Sequence, residues 1–216
     1  MTDPVKPLKR PYNSPRRRRQ ADATRREILE AARRLFEQQG YAATTMGAIA
    51  SEAGVALKTV YVAFETKSGV LRALWHVVLR GEDGEIPVAD LPWYRETLAA
   101  PDPVEQLRLN ARNSRVVKLR VAAVGEVIRT AAPGDAEIAE LWRGIQSGYH
   151  ENQRAVVESL RAKEALDPTL DVERATDILW TINHPDVWQL LVCERGWTPE
   201  AYERWCFESA CAQLLR

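Results

Sequence analysis

Thr45, Lys58, Thr59, Tyr61 and Lys67 place hydroxyls and amines at short intervals along one stretch of chain. No nucleophile motif, phosphate-binding loop or metal-ligand spacing accompanies them, so the set offers donors and positive charge rather than bond-making chemistry. A lysine can bond the acceptor edge of guanine, and a threonine can touch a thymine methyl. A lysine at the start of a helix adds its charge to free backbone N–H groups, which suits a phosphate. Thr45 fits a helix cap as well as it fits a phosphate donor. A half-buried Tyr61 would seek a partner for its phenol.

Such groups act only if a rigid element presents them. Residues 46–65, MGAIASEAGVALKTVYVAFE, read as two short helices around a tight turn. Gly54 stands where the turn needs positive φ. Ala50 is small enough to let the second helix approach. Ile49, Ala53, Val55, Val60 and Ala63 fall at inward positions, with Phe64 also in the core. Leu57, Lys58, Thr59 and Tyr61 are left on the outer face of the second helix. That face is the one a helix-turn-helix lays into the major groove of double-stranded DNA. The competing reading is an ordinary helical hairpin inside a core.

The charge distribution favours DNA. Net charge is zero over 216 residues, yet residues 1–80 hold 15 Lys/Arg against 7 Asp/Glu, and residues 81–216 hold 15 against 23. A basic third joined to an acidic remainder suggests one polyanion-binding unit and one that is not. The 45% apolar and 28% charged content is that of an ordinary globular chain. No window nears 18 uninterrupted apolar residues, and the Pro-rich basic N-terminus lacks the apolar stretch of a secretory signal. Cys193, Cys206 and Cys211 form neither a metal spacing nor a disulfide framework and read as buried thiols in a reducing cytoplasm. His76, His150 and His184 have no catalytic company, and His76 and His150 fit solvated helix faces. The expectation is no enzyme, no cofactor, no metal and no membrane, with the protein in the cytoplasm at the nucleoid.

Periodicity makes the rest an all-α chain. Residues 1–20, with Arg16 to Arg19, read as a disordered basic arm. A first helix spans about 22–39 through Ile28, Ala31, Leu35 and Phe36, and Gly40 ends it. The helix-turn-helix and a helix over about 67–80 complete a DNA-binding domain at 21–80. Residues 81–102 read as a loop, opening a regulatory, ligand-binding and dimerisation domain at 81–216. Helices over 103–131 and 136–163 follow, then one over 171–195 that Pro185 must interrupt. Thr198-Pro199-Glu200 starts the last helix, which runs to about 215.

In the regulatory domain Trp142, Gln146 and Tyr149 share a helical face. Asn183 and Trp188 flank the Pro185 interruption, and Asn110 and Asn113 share a face of an earlier helix. Polar groups on otherwise apolar faces often line a pocket, although each fits a core or surface role as well. These five residues (Trp142, Gln146, Tyr149, Asn183, Trp188) are the candidate contacts to a small-molecule effector. The last helix shows two apolar stripes, Tyr202–Trp205–Ser209–Ala212 and Phe207–Cys211–Leu214–Leu215. With Trp188, Leu191 and Val192 they predict a homodimer built on residues 174–215. Its twofold axis would set two recognition helices roughly 34–36 Å apart on a pseudo-palindromic operator.

Residues 40–71, GYAATTMGAIASEAGVALKTVYVAFETKSGVL, resemble the DNA-binding end of tetracycline-repressor-like (TetR family) transcriptional regulators. The pattern lies in Gly40, Tyr41, Thr45, Ile49, Ala50, Ala53, Gly54, Val55, Tyr61, Phe64 and Lys67. The resemblance covers about 25–75; the run ILWTINHPDVWQLLVCERGWTPEAYERW resembles one branch more weakly. Ala56 stands where a capping serine is common, and Ala63 where a histidine is frequent. The resemblance implies an all-helical homodimer, a palindromic operator and repression relieved by a small molecule. It also implies phosphate contact by Lys67. A ligand-independent architectural DNA-binder is the alternative, and the acidic domain of more than 100 residues argues against it. A helical enzyme with a coincidental hairpin is a third.

Overall fold

The computed structural model describes residues 15–81 and 87–216, and within them the chain is helical throughout. The N-terminal part comprises α1 (Pro15–Ala43), α2 (Met46–Glu52), α3 (Leu57–Phe64) and α4 (Lys67–Arg80). The remainder comprises α5 (Pro92–Ala99), α6 (Pro103–Ala131), α7 (Ala136–Ala162), α8 (Val172–Ile182), α9 (Pro185–Trp188) and α10 (Pro199–Leu214). No strand occurs among the described residues; a lone antiparallel bridge joins Leu166 to Leu215.

Local chemistry sets most of the boundaries. Gly40, at φ 78 and ψ 171, breaks the helical path of α1 and turns Tyr41 into the core. Gly54, at φ 66, forms the α2–α3 turn, and Val55 N–H donates to Ala50 carbonyl at 3.0 Å across it. Thr45 caps α2 by accepting from Ala48 N–H at 3.1 Å. Ala56 supplies no side-chain cap to α3. Thr66 caps α4 by accepting from Gly69 N–H at 3.0 Å. Asp102, Asp135, Asp171 and Thr198 cap α6, α7, α8 and α10.

Three elements differ from the periodicity. Helix α1 begins at Pro15, so Arg16 to Arg19 lie on a helix rather than in a disordered arm. Arginine is a good helix former, and the run continues α1 without a breaker. The first fourteen residues of the expected arm lie outside the described residues. Second, the segment read as a loop contains α5, started by Pro92 and held by buried Tyr94 and Thr97. Third, α10 buries one stripe, Tyr202–Cys206–Ala210–Leu214, instead of the two expected; Trp205, Phe207 and Cys211 are half-buried beside it. The i, i+4 register places the smallest residues, Cys206 and Ala210, where α10 crosses its own domain. Cys193 is exposed, unlike Cys206.

The hydrophobic cores do not divide at the boundary between residues 80 and 81. One core joins Ile28, Phe36, Ile49, Val60, Leu71 and Leu74 to Val124 and Ile128 of α6 and to Ile138 of α7. The other gathers the first half of α6, the second half of α7, α8 and α10 around Leu160, Leu179 and Tyr202. Helices α1–α4 therefore stand on the α6–α7 corner. Two polar ties reinforce that seat. Tyr41 Oη donates to Asp135 Oδ2 at 2.8 Å, and Ser68 Oγ donates to Glu137.

Candidate functional site

Helix α3 keeps Val60 and Phe64 in the core, packs Ala63 against it and turns Leu57, Lys58, Tyr61 and Val62 outward. Leu57, Lys58 and Tyr61 are exposed, Thr59 is half-buried, and Val62 is 77% exposed. An exposed valine of that degree on a short helix between two turns leaves apolar surface to water. Sequence reasoning passed over Val62, although its position three residues after Thr59 marks the same outer face. Arg25 of α1 holds the end of α3: Nη1 donates to Ala63 carbonyl at 2.8 Å, and the guanidinium lies 4.2 Å from the Phe64 ring centre. Thr45 is exposed while it caps α2.

Lys67 opens α4, as its position in the sequence suggests, but its ammonium is partly engaged. Nζ donates to Tyr41 carbonyl at 2.8 Å and sits 4.1 Å from the Tyr41 ring centre. Burial lowers its pKa, and nearby Asp135 opposes the shift. The Asp135 carboxyl lies below the usual range despite burial, because Tyr41 Oη and the amides of Ile138 and Glu137 donate to it. Lys67, Tyr41 and Asp135 thus connect the start of α4 to the α6–α7 corner.

A cavity of about 580 Å³ opens between α4, α5, α6 and α7. That volume suits a drug-sized organic molecule, for which pockets of roughly 300–1,000 Å³ are usual. Its walls are mainly apolar, through Trp75, Leu79, Trp93, Val117, Leu141 and Ile145. Gln146 and Tyr149 line it; Trp142 does not. Trp142 and Trp188 instead border a narrow cleft of about 50 Å³, reached past Trp75 and Lys118. Trp188 is 4% exposed and meets the Tyr202 ring edge-on at 4.9 Å, which is core packing. Asn183 is buried behind the wall. Its carbonyl accepts from Tyr149 Oη at 2.5 Å, and its Nδ2 donates to Asn110 Oδ1 at 3.3 Å and Leu179 carbonyl at 3.1 Å. Asn113 Nδ2 donates to Thr97 Oγ1 at 2.9 Å and to Trp93 carbonyl at 3.2 Å, fixing α5 on α6.

Several wall residues escaped the sequence reading. His76 is not on a solvated face: it lines the cavity with Nδ1 buried and unpartnered, and burial with Arg80 and Arg72 nearby lowers its pKa. Gln146 Oε1 pairs with His184 Nε2 at 3.1 Å, while its Nε2 has no protein partner. Lys118 is only 5% exposed. Its Nζ donates to Ser114 Oγ at 2.6 Å, with Tyr149 Oη at 3.5 Å, and burial pushes its ammonium down to about 7. The signal for Lys118 was present: Leu107, Ala111, Ser114, Lys118 and Val121 form one inward stripe of α6. His150 pairs with Asp177 at 3.1 Å on the surface. No cluster of His, Cys, Asp or Glu able to hold a metal occurs among the described residues. Nor is any single described helix long and apolar enough to cross a membrane.

The chain was compared with known proteins. Residues 28–74 match the model of the bacterial regulatory proteins of the tetR family. The HTH-type transcriptional regulator AcrR of Shigella flexneri is 31% identical over 114 residues, 51% of this chain and 50% of that protein. The chain thus aligns with only half of that relative. The regulator TtgR of Pseudomonas putida is 27% identical over 166 residues, covering 74% of this chain and 76% of TtgR. Among solved structures, a SmeT–triclosan complex superposes with a TM-score of 0.70 at 21% identity, covering 90% of this chain and 92% of that one. NalD, a repressor of a multidrug efflux pump in Pseudomonas aeruginosa, gives 0.68 at 21%, covering 91% and 98%. These structures share the fold. The α2–α3 motif with Gly54 at its turn, the helical body beneath it and the match over 28–74 agree: residues 28–74 carry the DNA-binding domain of the tetR family of bacterial regulatory proteins, on a body with the fold of the solved structures above.

Proposed function

We propose that this protein is a ligand-responsive regulator, working as a repressor that leaves its operator when a small organic molecule fills the cavity. One observation carries the reading. Helix α4 belongs to both sites: Lys67 at its start lies beside α3, and Arg72, Trp75, His76 and Leu79 of the same helix wall the cavity. A ligand that favours one setting of α4 over another shifts the recognition helix with it. The cavity also favours this reading over a ligand-independent clamp, which has no use for a mainly apolar cavity. Relatives whose solved structures are described with triclosan or choline give the reading further support.

In this reading Leu57, Lys58 and Thr59 face base edges, with Thr45, Tyr61 and Lys67 on phosphates. The working form is a cytoplasmic homodimer on a pseudo-palindromic operator. Exposed Leu190 and Trp197 and the half-buried Leu191 and Val192 around the Gln189–Glu194 segment supply apolar surface for the partner. Gln146 and Tyr149 contact the effector, and Trp142, Asn183 and Trp188 support the wall from behind. Selection from a random duplex library tests the reading. A twofold-symmetric site should be enriched. Lys67→Ala should weaken all duplexes and lower the salt slope by about one, whereas Lys58→Ala or Thr59→Ala should shift sequence preference. Enrichment of no symmetric site would refute it.

A further inference from the structure

Lys118 is a buried amine on α6, away from the proposed DNA face. It stands in the inward stripe of α6, between the large cavity and the narrow cleft. Its direct contacts are neutral: Ser114 Oγ at 2.6 Å, Tyr149 Oη at 3.5 Å, and the rings of Tyr149 and Tyr202 at 5.6 and 5.4 Å. Tyr149 gives its proton to Asn183 carbonyl, so its oxygen faces Lys118 as an acceptor. No carboxylate pairs with Lys118 among the described residues; Glu203, on α10, is taken by Arg115. A buried ammonium without a counter-ion is costly to keep, and a hydrocarbon at this position would pack without that cost.

We propose that the cavity takes an organic acid, its carboxylate on Lys118 Nζ and its apolar body against Trp75, Trp93, Val117 and Ile145. This rests on the cavity being the effector site. Ligand charge supplies what the wall lacks. Gln146 Nε2 and His76 Nδ1, on the same wall, hold unused hydrogen-bonding capacity. Arg72 also lines it from α4, while Glu140 on the wall pairs with Arg143. Among the described residues, the wall holds no buried carboxylate for a cationic ligand.

The proton inventory gives the proposal a signature. Among the described residues, Tyr149 on α7, Tyr202 and Cys206 on α10, and His184 at the start of α9 interact with Lys118, and Glu126, Arg129 and Asp186 line the narrow cleft beside it. Burial raises the pKa of both phenols, pushes Cys206 up to about 11 and lowers His184. His76, on α4 across the cavity, is lowered as well. Lys118, brought down to about 7, is then the group that gains a proton when a carboxylate arrives near neutral pH. Above pH 7 the free protein must first protonate Lys118, so affinity for an acid falls about tenfold per pH unit.

The experiment uses the full chain with three aromatic probes of one shape: naphthoate, naphthamide and naphthylmethylammonium. Binding is read by tryptophan fluorescence and by calorimetry in two buffers of different ionisation enthalpy. Naphthoate should bind at least about tenfold more tightly than the other two at pH 7, with proton uptake and weakening toward pH 9. Lys118→Met should remove the naphthoate preference, the uptake and the pH dependence while naphthamide still binds; Lys118→Arg should keep the preference without the uptake. The wild-type proton count needs no variant, so a misfolded substitution leaves the test intact. Equal binding of naphthoate and naphthamide, preference for the cation, or naphthoate binding without uptake overturns the acid and leaves the cavity reading standing. Binding of none of the three overturns both.

Discussion

Gly69 tests whether the packing of α3 against α4 is as tight as the structure has it. By helix propensity alone, Gly69→Ala at the third residue of α4 should stabilise the protein by up to about 1 kcal/mol. The tertiary structure reverses the sign. A Cβ at Gly69 would stand 2.2 Å from Phe64 carbonyl oxygen and 3.2 Å from Thr66 Oγ1, where real contacts below 3.0 Å essentially do not occur. The first obstacle is backbone, so no rotamer change removes it. Phe64 ends the recognition helix, Glu65 beyond it already sits at φ 62, and Phe64 anchors that end in the core under Arg25. Forcing the backbone aside costs roughly 1–3 kcal/mol, as overpacking does, and moves the recognition helix. At about 2–4 °C per kcal/mol for a chain of this size, Tm should fall by roughly 2–12 °C. Gly47→Ala is the control, because its Cβ would meet only Thr45 Oγ1 at an ordinary 3.8 Å; it should raise Tm slightly. Thermal melts of both variants, with affinity for the selected duplex, decide the matter. A Gly69→Ala protein as stable as Gly47→Ala would refute the reasoning.

Lys118 also predicts how stability depends on pH. Its folded pKa of about 7 lies below its unfolded value, so the unfolded chain binds more protons above pH 7. Denaturant midpoints should therefore rise from pH 7 to 9, and Lys118→Met should flatten that rise and be more stable at pH 7 by an amount on the order of a few kcal/mol. A steep rise that survives in Lys118→Met would count against the assignment. For the Tyr41–Asp135 tie, Tyr41→Phe and Asp135→Asn should each destabilise by about 1–2 kcal/mol, and the double variant by clearly less than their sum. Full additivity in urea melts would mean that the 2.8 Å contact carries no coupling. Leu190→Asp should yield monomers by sedimentation that bind half-sites weakly; an unchanged dimer would place the interface elsewhere.

The sequence by itself determined the elements whose cause is local. Gly40 and Gly54 could be assigned because positive φ is a property of a single residue and its turn, and the structure gives both that conformation. Thr45 and Thr198 could be read as caps because a cap joins a side chain to an amide within three residues. The outer face of α3 was legible for Leu57, Lys58 and Tyr61 because period alone separates it from Val60. What only the tertiary structure decided depends on partners distant in sequence. Lys67 meets Tyr41, Tyr41 meets Asp135, and no spacing announces those contacts. The two apolar stripes expected on α10 became one because its crossing with α6 and α8 selects which face is covered. Trp142, Tyr149 and Trp188 look alike as aromatics on helical faces, yet Tyr149 lines the large cavity while the two tryptophans border the narrow cleft. The sequence supplies periodicity to within a face; which face meets a cavity is fixed by how α4, α5, α6 and α7 cross, and that is a property of packed volumes rather than of any one helix.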